Sequence, residues 1–130
     1  MKKLAYLTIS LLLCLLQCPA HAQNIAVESF VLEETDLTAI TPGTMIKDHN
    51  GEVCALIKLE TTQKGFTFDV GMLGVRKVLE KPGEIWVYVP YGIRKISIMH
   101  PQLGILRNYQ LPLPIDKGRT YIMKLTSGNV

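Results

Sequence analysis

The sequence predicts an all-β protein, a single antiparallel β-sandwich, and three observations carry that expectation. Beyond residue 24 the apolar positions recur with period two, not 3.6. Clusters of glycine, proline and asparagine break the chain at roughly 8–12-residue intervals, the spacing of short strands joined by turns. No window in this stretch pairs helical spacing with a capping box. The 130 residues are 48% hydrophobic and 19% charged. That is enough apolar surface to order one compact domain, in a chain hardly long enough for two.

The elements follow in order. Residues 25–33 are rich in β-branched and apolar side chains. Residues 36–40 read as a short strand that stops at Thr41-Pro42-Gly43. Asp48-His49-Asn50-Gly51 supplies a hairpin turn, because Asn and Gly both tolerate positive φ, and it joins residues 44–47 to a strand over 52–62. Lys64-Gly65 is the next break, and Phe66-Thr67-Phe68-Asp69-Val70 alternates. Gly71 and Gly74 interrupt before residues 75–80, and Lys81-Pro82-Gly83-Glu84 turns the chain with proline where its fixed φ fits. Residues 85–89 end at Pro90, and Tyr91-Gly92 leads into 94–100. Pro101-Gln102-Leu103-Gly104 leads into 105–111, and Asp116-Lys117-Gly118 into 119–126. About eight strands result, in one domain over residues 24–126.

Side-chain parity predicts the core. Tyr121, Met123 and Leu125 share one face of the last segment, and Ile96 and Ile98 oppose Lys95, Ser97 and Met99. Residues 53–57 and 85–89 are apolar on both faces and are predicted to be central strands.

The N-terminus has a different character. Met1-Lys2-Lys3 is cationic, residues 4–16 are apolar except for Thr8 and Ser10, and Ala20-His21-Ala22 fits the small-x-small cleavage pattern. A signal peptide over 1–22, cut between Ala22 and Gln23, is expected, placing the mature protein in the periplasm, at the cell surface or outside the cell. Leu15-Leu16-Gln17-Cys18 offers a weaker alternative, lipidation of Cys18. No apolar run is long enough for a membrane-spanning helix. Without residues 1–22 the chain has 108 residues, and losing Lys2 and Lys3 takes its formal charge from +3 to +1. The remaining cations are scattered, so nucleic acid is not an expected partner. Cys54 becomes the one mature cysteine, which leaves no intramolecular disulfide to form.

Few residues point to chemistry. His49 and His100 both sit in turns and lack the short-range pairing of metal ligands, so no metal and no cofactor is expected. Cys54 lies in the apolar run Val53-Cys54-Ala55-Leu56-Ile57, where a thiol behaves as a small hydrophobe. Glu33, Glu34 and Asp36 read as a solvated strand end. No catalytic residue is assigned. Trp86 and Tyr88, two residues apart, project from one face while Ile85, Val87 and Val89 project from the other. If the aliphatic set fills the core, Trp86 and Tyr88 form a surface platform with Tyr91 at its edge, suited to stacking on sugar or anchoring a protein.

The stretch from Lys81 to Leu125 resembles the PEGA type of small β-sandwich. The resemblance rests on Pro82-Gly83-Glu84-Ile85-Trp86-Val87-Tyr88-Val89-Pro90, Gly92 and Ile96-Ser97-Ile98. It continues through Leu111-Pro112-Leu113-Pro114-Ile115 and Gly118-Arg119-Thr120-Tyr121-Ile122-Met123-Lys124-Leu125. With the upstream segment Asp48 to Lys58, the mature chain is similar to the N-terminal module of exported proteins of Gram-negative bacteria. The resemblance implies an Ig-like sandwich and supplies no catalytic residues. The expectation is an exported, non-catalytic module acting through contact with another exported or cell-envelope protein, or as a scaffold. The alternative is a carbohydrate-binding module using Trp86, Tyr88 and Tyr91.

Overall fold

The computed structural model describes residues 24–128. The expected signal peptide, its cut between Ala22 and Gln23, and Cys18 lie outside them. The described residues form eight strands and no helix: β1 (Asn24–Leu32), β2 (Ala55–Glu60), β3 (Thr67–Asp69), β4 (Lys77–Lys81), β5 (Glu84–Val89), β6 (Lys95–His100), β7 (Gly104–Gln110) and β8 (Thr120–Gly128). They make a five-stranded sheet, β1-β8-β2-β5-β4, and a three-stranded sheet, β3-β6-β7. The described residues are thus all-β with two sheets, an arrangement compatible with a sandwich. The pairing is not purely antiparallel, as parity had led one to expect, because β2 runs parallel to β8 with Ile57 opposite Tyr121. A period-two pattern is the same for either direction, so alternation alone could not distinguish them.

The main core lies between the sheets. Ile57 and Leu59 of β2, Ile85 and Val87 of β5, and Tyr121 and Met123 of β8 face Ile96 and Ile98 of β6. Two bulges keep the edge strands in phase with it. In β1 the register shifts between Val27 and Ser29, so the inward positions change from Ile25 and Val27 to Phe30 and Leu32. In β7, Arg107 and Asn108 together oppose Ser97; Asn108 takes φ 50° and its N–H donates to Ser97 Oγ at 2.9 Å. Leu106 and Tyr109, three residues apart, thereby both reach the core.

Two expected strands are absent. Residues 36–40 and 44–46 form turns and irregular loop instead, because side chains here capture the backbone hydrogen bonds a ladder would use. Asp36 Oδ1 accepts from the N–H of Thr38, Thr41 Oγ1 donates to the carbonyl of Leu37, and Thr44 Oγ1 donates to that of Thr38. The hairpin at 48–51 shrinks to one bridge between Lys47 and Val53, and only Gly51 of its Asn-Gly pair is left-handed, at φ 79°.

These turns lie over the outer face of the five-stranded sheet. Ala39 packs there with Cys54, Leu56 and Tyr88 in a second, smaller apolar cluster. The central strands β2 and β5 are therefore apolar on both faces for two separate reasons: the core on one side and this cover on the other.

Candidate interaction surface

The expected aromatic platform is roofed over. Trp86 and Tyr88 do share a face, opposite Ile85 and Val87, but it is the face beneath the cover. Tyr88 is 0% exposed, and its hydroxyl donates to the carbonyl of Thr44 at 2.6 Å. Burial, with the Asp36 carboxylate nearby, pushes its phenol pKa up. Trp86 is half-buried, with Nε1 donating to Glu84 at 2.6 Å and the ammonium groups of Lys58 and Lys81 each 4.9 Å from its ring centre. Both ligand-facing surfaces expected of the pair are spent on the protein's own side chains. Tyr91 alone of the three is exposed, at 42%.

The other candidates are dispersed. Cys54 is fully buried in the second cluster, and burial pushes its thiol up to about 11. His100 is buried at the end where β2 runs out: backbone N–H groups of Gln102 and Leu103 donate to Nδ1, so Nε2 carries the hydrogen given to the Lys64 carbonyl. His49 lines a cleft with Leu73 and Tyr91, at the end where β2 and β8 begin. Glu33 accepts from the Thr35 hydroxyl, and Asp36 pairs with Lys58. The structure brings none of these histidines together with Cys54, and among the described residues no group of three metal-ligating side chains assembles.

What the fold does assemble is an apolar end around Tyr91. The backbone N–H of Gly74 donates to the carbonyl of Gly71, closing a tight turn with Met72 and Leu73 at its two central positions. Both glycines are left-handed, at φ 95° and 71°, and Asp69 Oδ1 holds the N–H of Gly71 at 2.8 Å. Met72 is fully exposed and Leu73 is 59% exposed. Leu73 shares its cleft of about 340 Å³ with Tyr91. Lys117 Nζ lies 4.5 Å from the centre of the Tyr91 ring and 2.8 Å from Glu52. One residue on, Gly118 approaches Ile40, which is also exposed.

On the other side of Tyr91 lies a groove of about 520 Å³. Its walls are residues 91–94 and the proline-containing segment 110–116. The two are joined where Gly92 N–H donates to Ile115 and Leu111 N–H donates to Arg94. Between those ties Pro112 and Pro114 have no N–H to pair, so the walls part. Tyr121 braces the groove from below, its hydroxyl donating to the Pro114 carbonyl at 2.6 Å and accepting from Asp116 N–H at 2.9 Å. Sequence reading missed Met72 and Leu73. Their signal was available: two large apolar residues between glycines, where a turn calls for small or polar ones.

No family model matches the chain, and neither a curated protein nor a solved structure matches it. Among the described residues no helix is long and apolar enough to cross a membrane.

Proposed function

We propose that the chain is an exported, non-catalytic β-sandwich module of the Ig-like, PEGA-like kind, working by protein–protein contact in the periplasm or at the cell surface. The apolar end carries this reading. Leu73 and Tyr91 are large, exposed and share a cleft although they come from separate loops, and Met72 is exposed beside Leu73 in the chain. Exposed apolar side chains brought together in this way mark an interaction site. Its rim carries both signs of charge, Asp48 and Glu52 beside Lys117, as protein interfaces do. The edge strand β4, by contrast, bears Lys77, Glu80 and Lys81, charges that discourage strand addition.

The test is a photo-crosslinker, Tyr91→p-benzoylphenylalanine, in the cell that makes the protein, with mass spectrometry of the mature N-terminus. An adduct with another exported or envelope protein, on a chain beginning at Gln23, is expected. Absence of any adduct at position 91, or retention of residues 1–22, overturns the reading. The carbohydrate alternative now rests on Tyr91 beside the groove, since Tyr88 is sealed. Shifts of the Tyr91 resonances on titration with polysaccharide would favour it.

A further inference from the structure

We propose that the partner of the Tyr91 end is a second copy of this chain, the Met72–Leu73 turn of each copy seated in the 91–94/110–116 groove of the other. This rests on the contact reading above and names the occupant.

The turn carries two large apolar side chains that its own fold covers only in part: Met72 is fully exposed, and Leu73 is 59% exposed with the rest against the cleft it shares with Tyr91. A two-residue turn places no demand for Met or Leu at its centre. Such side chains need a hollow with apolar walls among its lining, and the groove beside Tyr91 provides one. Leu111, Pro112, Leu113 and Pro114 line the groove, which is open and large enough for aliphatic side chains. Tyr91 lines both the groove and the cleft that holds Leu73, so projection and hollow are neighbours. A two-fold axis passing near Tyr91 would set each projection over the opposite hollow, which is the self-complementary arrangement a closed dimer requires.

Charge agrees with this choice. The projection has Asp69 at its base and Arg76 on its other arm, while the groove presents Arg94 and Asp116. One charge of each sign on each side allows opposite charges to meet in both halves of a two-fold contact. A bilayer is a poorer occupant. Two apolar side chains with no basic cluster give only marginal attachment, and Asp48 and Glu52 at the same end would be repelled by anionic lipid.

The experiment is sedimentation equilibrium on residues 23–130, which carry every described strand, over about 1–300 µM. A reversible monomer–dimer equilibrium is expected. Leu73→Asp, at an exposed turn, should raise the dissociation constant at least about tenfold without changing the circular dichroism spectrum. Leu113→Lys, in the groove, should do the same. An equimolar mixture of the two variants should recover dimers, because one contact is then native and the other pairs Asp with Lys. Should Leu113→Lys prove unfolded, Gln110→Lys replaces it in the mixture. A monomer at every concentration, a dimer indifferent to Leu73→Asp, or a mixture that stays monomeric overturns the proposal. Monomeric protein that still forms the Tyr91 adduct with another envelope protein would sink the dimer and leave the contact reading standing. A dimer whose Tyr91 adduct is with its own second copy supports both, and a dimer with no adduct at position 91 overturns both.

Discussion

Lys58 Nζ lies 2.5 Å from Asp36 Oδ2, joining the centre of the five-stranded sheet to the loop that covers it. The same ammonium also donates to Thr38 Oγ1 at 3.0 Å and stands over the Trp86 ring. Both partners are largely shielded from water, at 11% and 17% side-chain exposure. Lys58→Met should therefore cost about 2–3 kcal/mol in urea unfolding, below the range for a fully buried pair because some water remains. Adding Asp36→Asn should recover part of that loss, since the carboxylate left unpaired is then gone. Equal destabilisation by the single and double variants would mean that the pair is not coupled.

The same pair sets the acid limit. Burial alone would raise the Asp36 carboxyl, but hydrogen bonds from Lys58 and Thr38 outweigh it and hold the pKa below its ordinary 3.8. A depressed folded-state pKa contributes stability that is fully present above the unfolded value and is lost as pH falls through the folded one. Unfolding free energy should thus decline below about pH 4, and Asp36→Asn should flatten that decline. Titration of the urea midpoint between pH 6 and 2.5 measures it.

Cys54 and Tyr88 set the alkaline limit. The Cys54 thiol is held up from 9.0 to about 11, first by burial and then by Asp48. A raised pKa favours the neutral form in the fold, so this contribution is intact below about pH 9 and drains away between about 9 and 11. The phenols of Tyr88 and Tyr121 are displaced in the same direction, chiefly by burial. Cys54→Ala should show a shallower loss of stability over that window. In native residues 23–130 the thiol should resist a disulfide reagent at pH 8 and react fully in denaturant. Rapid native labelling would contradict its burial.

Two neighbours in the chain should respond in opposite senses. Thr120 is buried, and its Oγ1 has no hydrogen-bond partner. Thr120→Val removes an unpaired hydroxyl at little change in shape and should leave stability unchanged or raised by about 1 kcal/mol. Gly118 is left-handed at φ 67°, and an added Cβ would lie 2.6 Å from Ile40 Cγ2. Gly118→Ala should lower stability by about 1–3 kcal/mol. Thermal unfolding of both variants decides the signs.

Tyr121→Phe tests the brace under the groove. The ring stacks on Phe30 at 5.3 Å and would stay, but the Pro114 carbonyl and Asp116 N–H would lose their common partner. A loss of about 1–3 kcal/mol is expected. Amide exchange should accelerate at Asp116 more than in β6.

Parity made much of the sheet legible. β2 and β5 announced themselves as central because neither face carries a run of charge, and the Ile96–Ile98 and Tyr121–Met123 pairs lie where alternation put them. The failures have local and distant causes. Asp36 and Thr44 look compatible with strands until their oxygens bond the backbone nearby. Trp86 and Tyr88 were assigned correctly to one face, yet the accessibility of that face is decided by Thr44, forty-four residues before Tyr88. Alternation reports which side chains are together and says nothing of what arrives to cover them. Likewise the bulge at Val27–Ser29 reverses parity within a single strand, with no glycine there to announce it.

The parallel seam between β2 and β8 has a consequence for how the chain comes to be folded. β8 is the last of the described strands in chain order, yet it fills the gap between β1 and β2. Until it arrives, the apolar side of β1 has no neighbour to pair with, and a nascent chain stopping before Thr120 holds only fragments of the sheet. β1 therefore joins the five-stranded sheet only once β8 is present, and closing so long a loop makes that step slow.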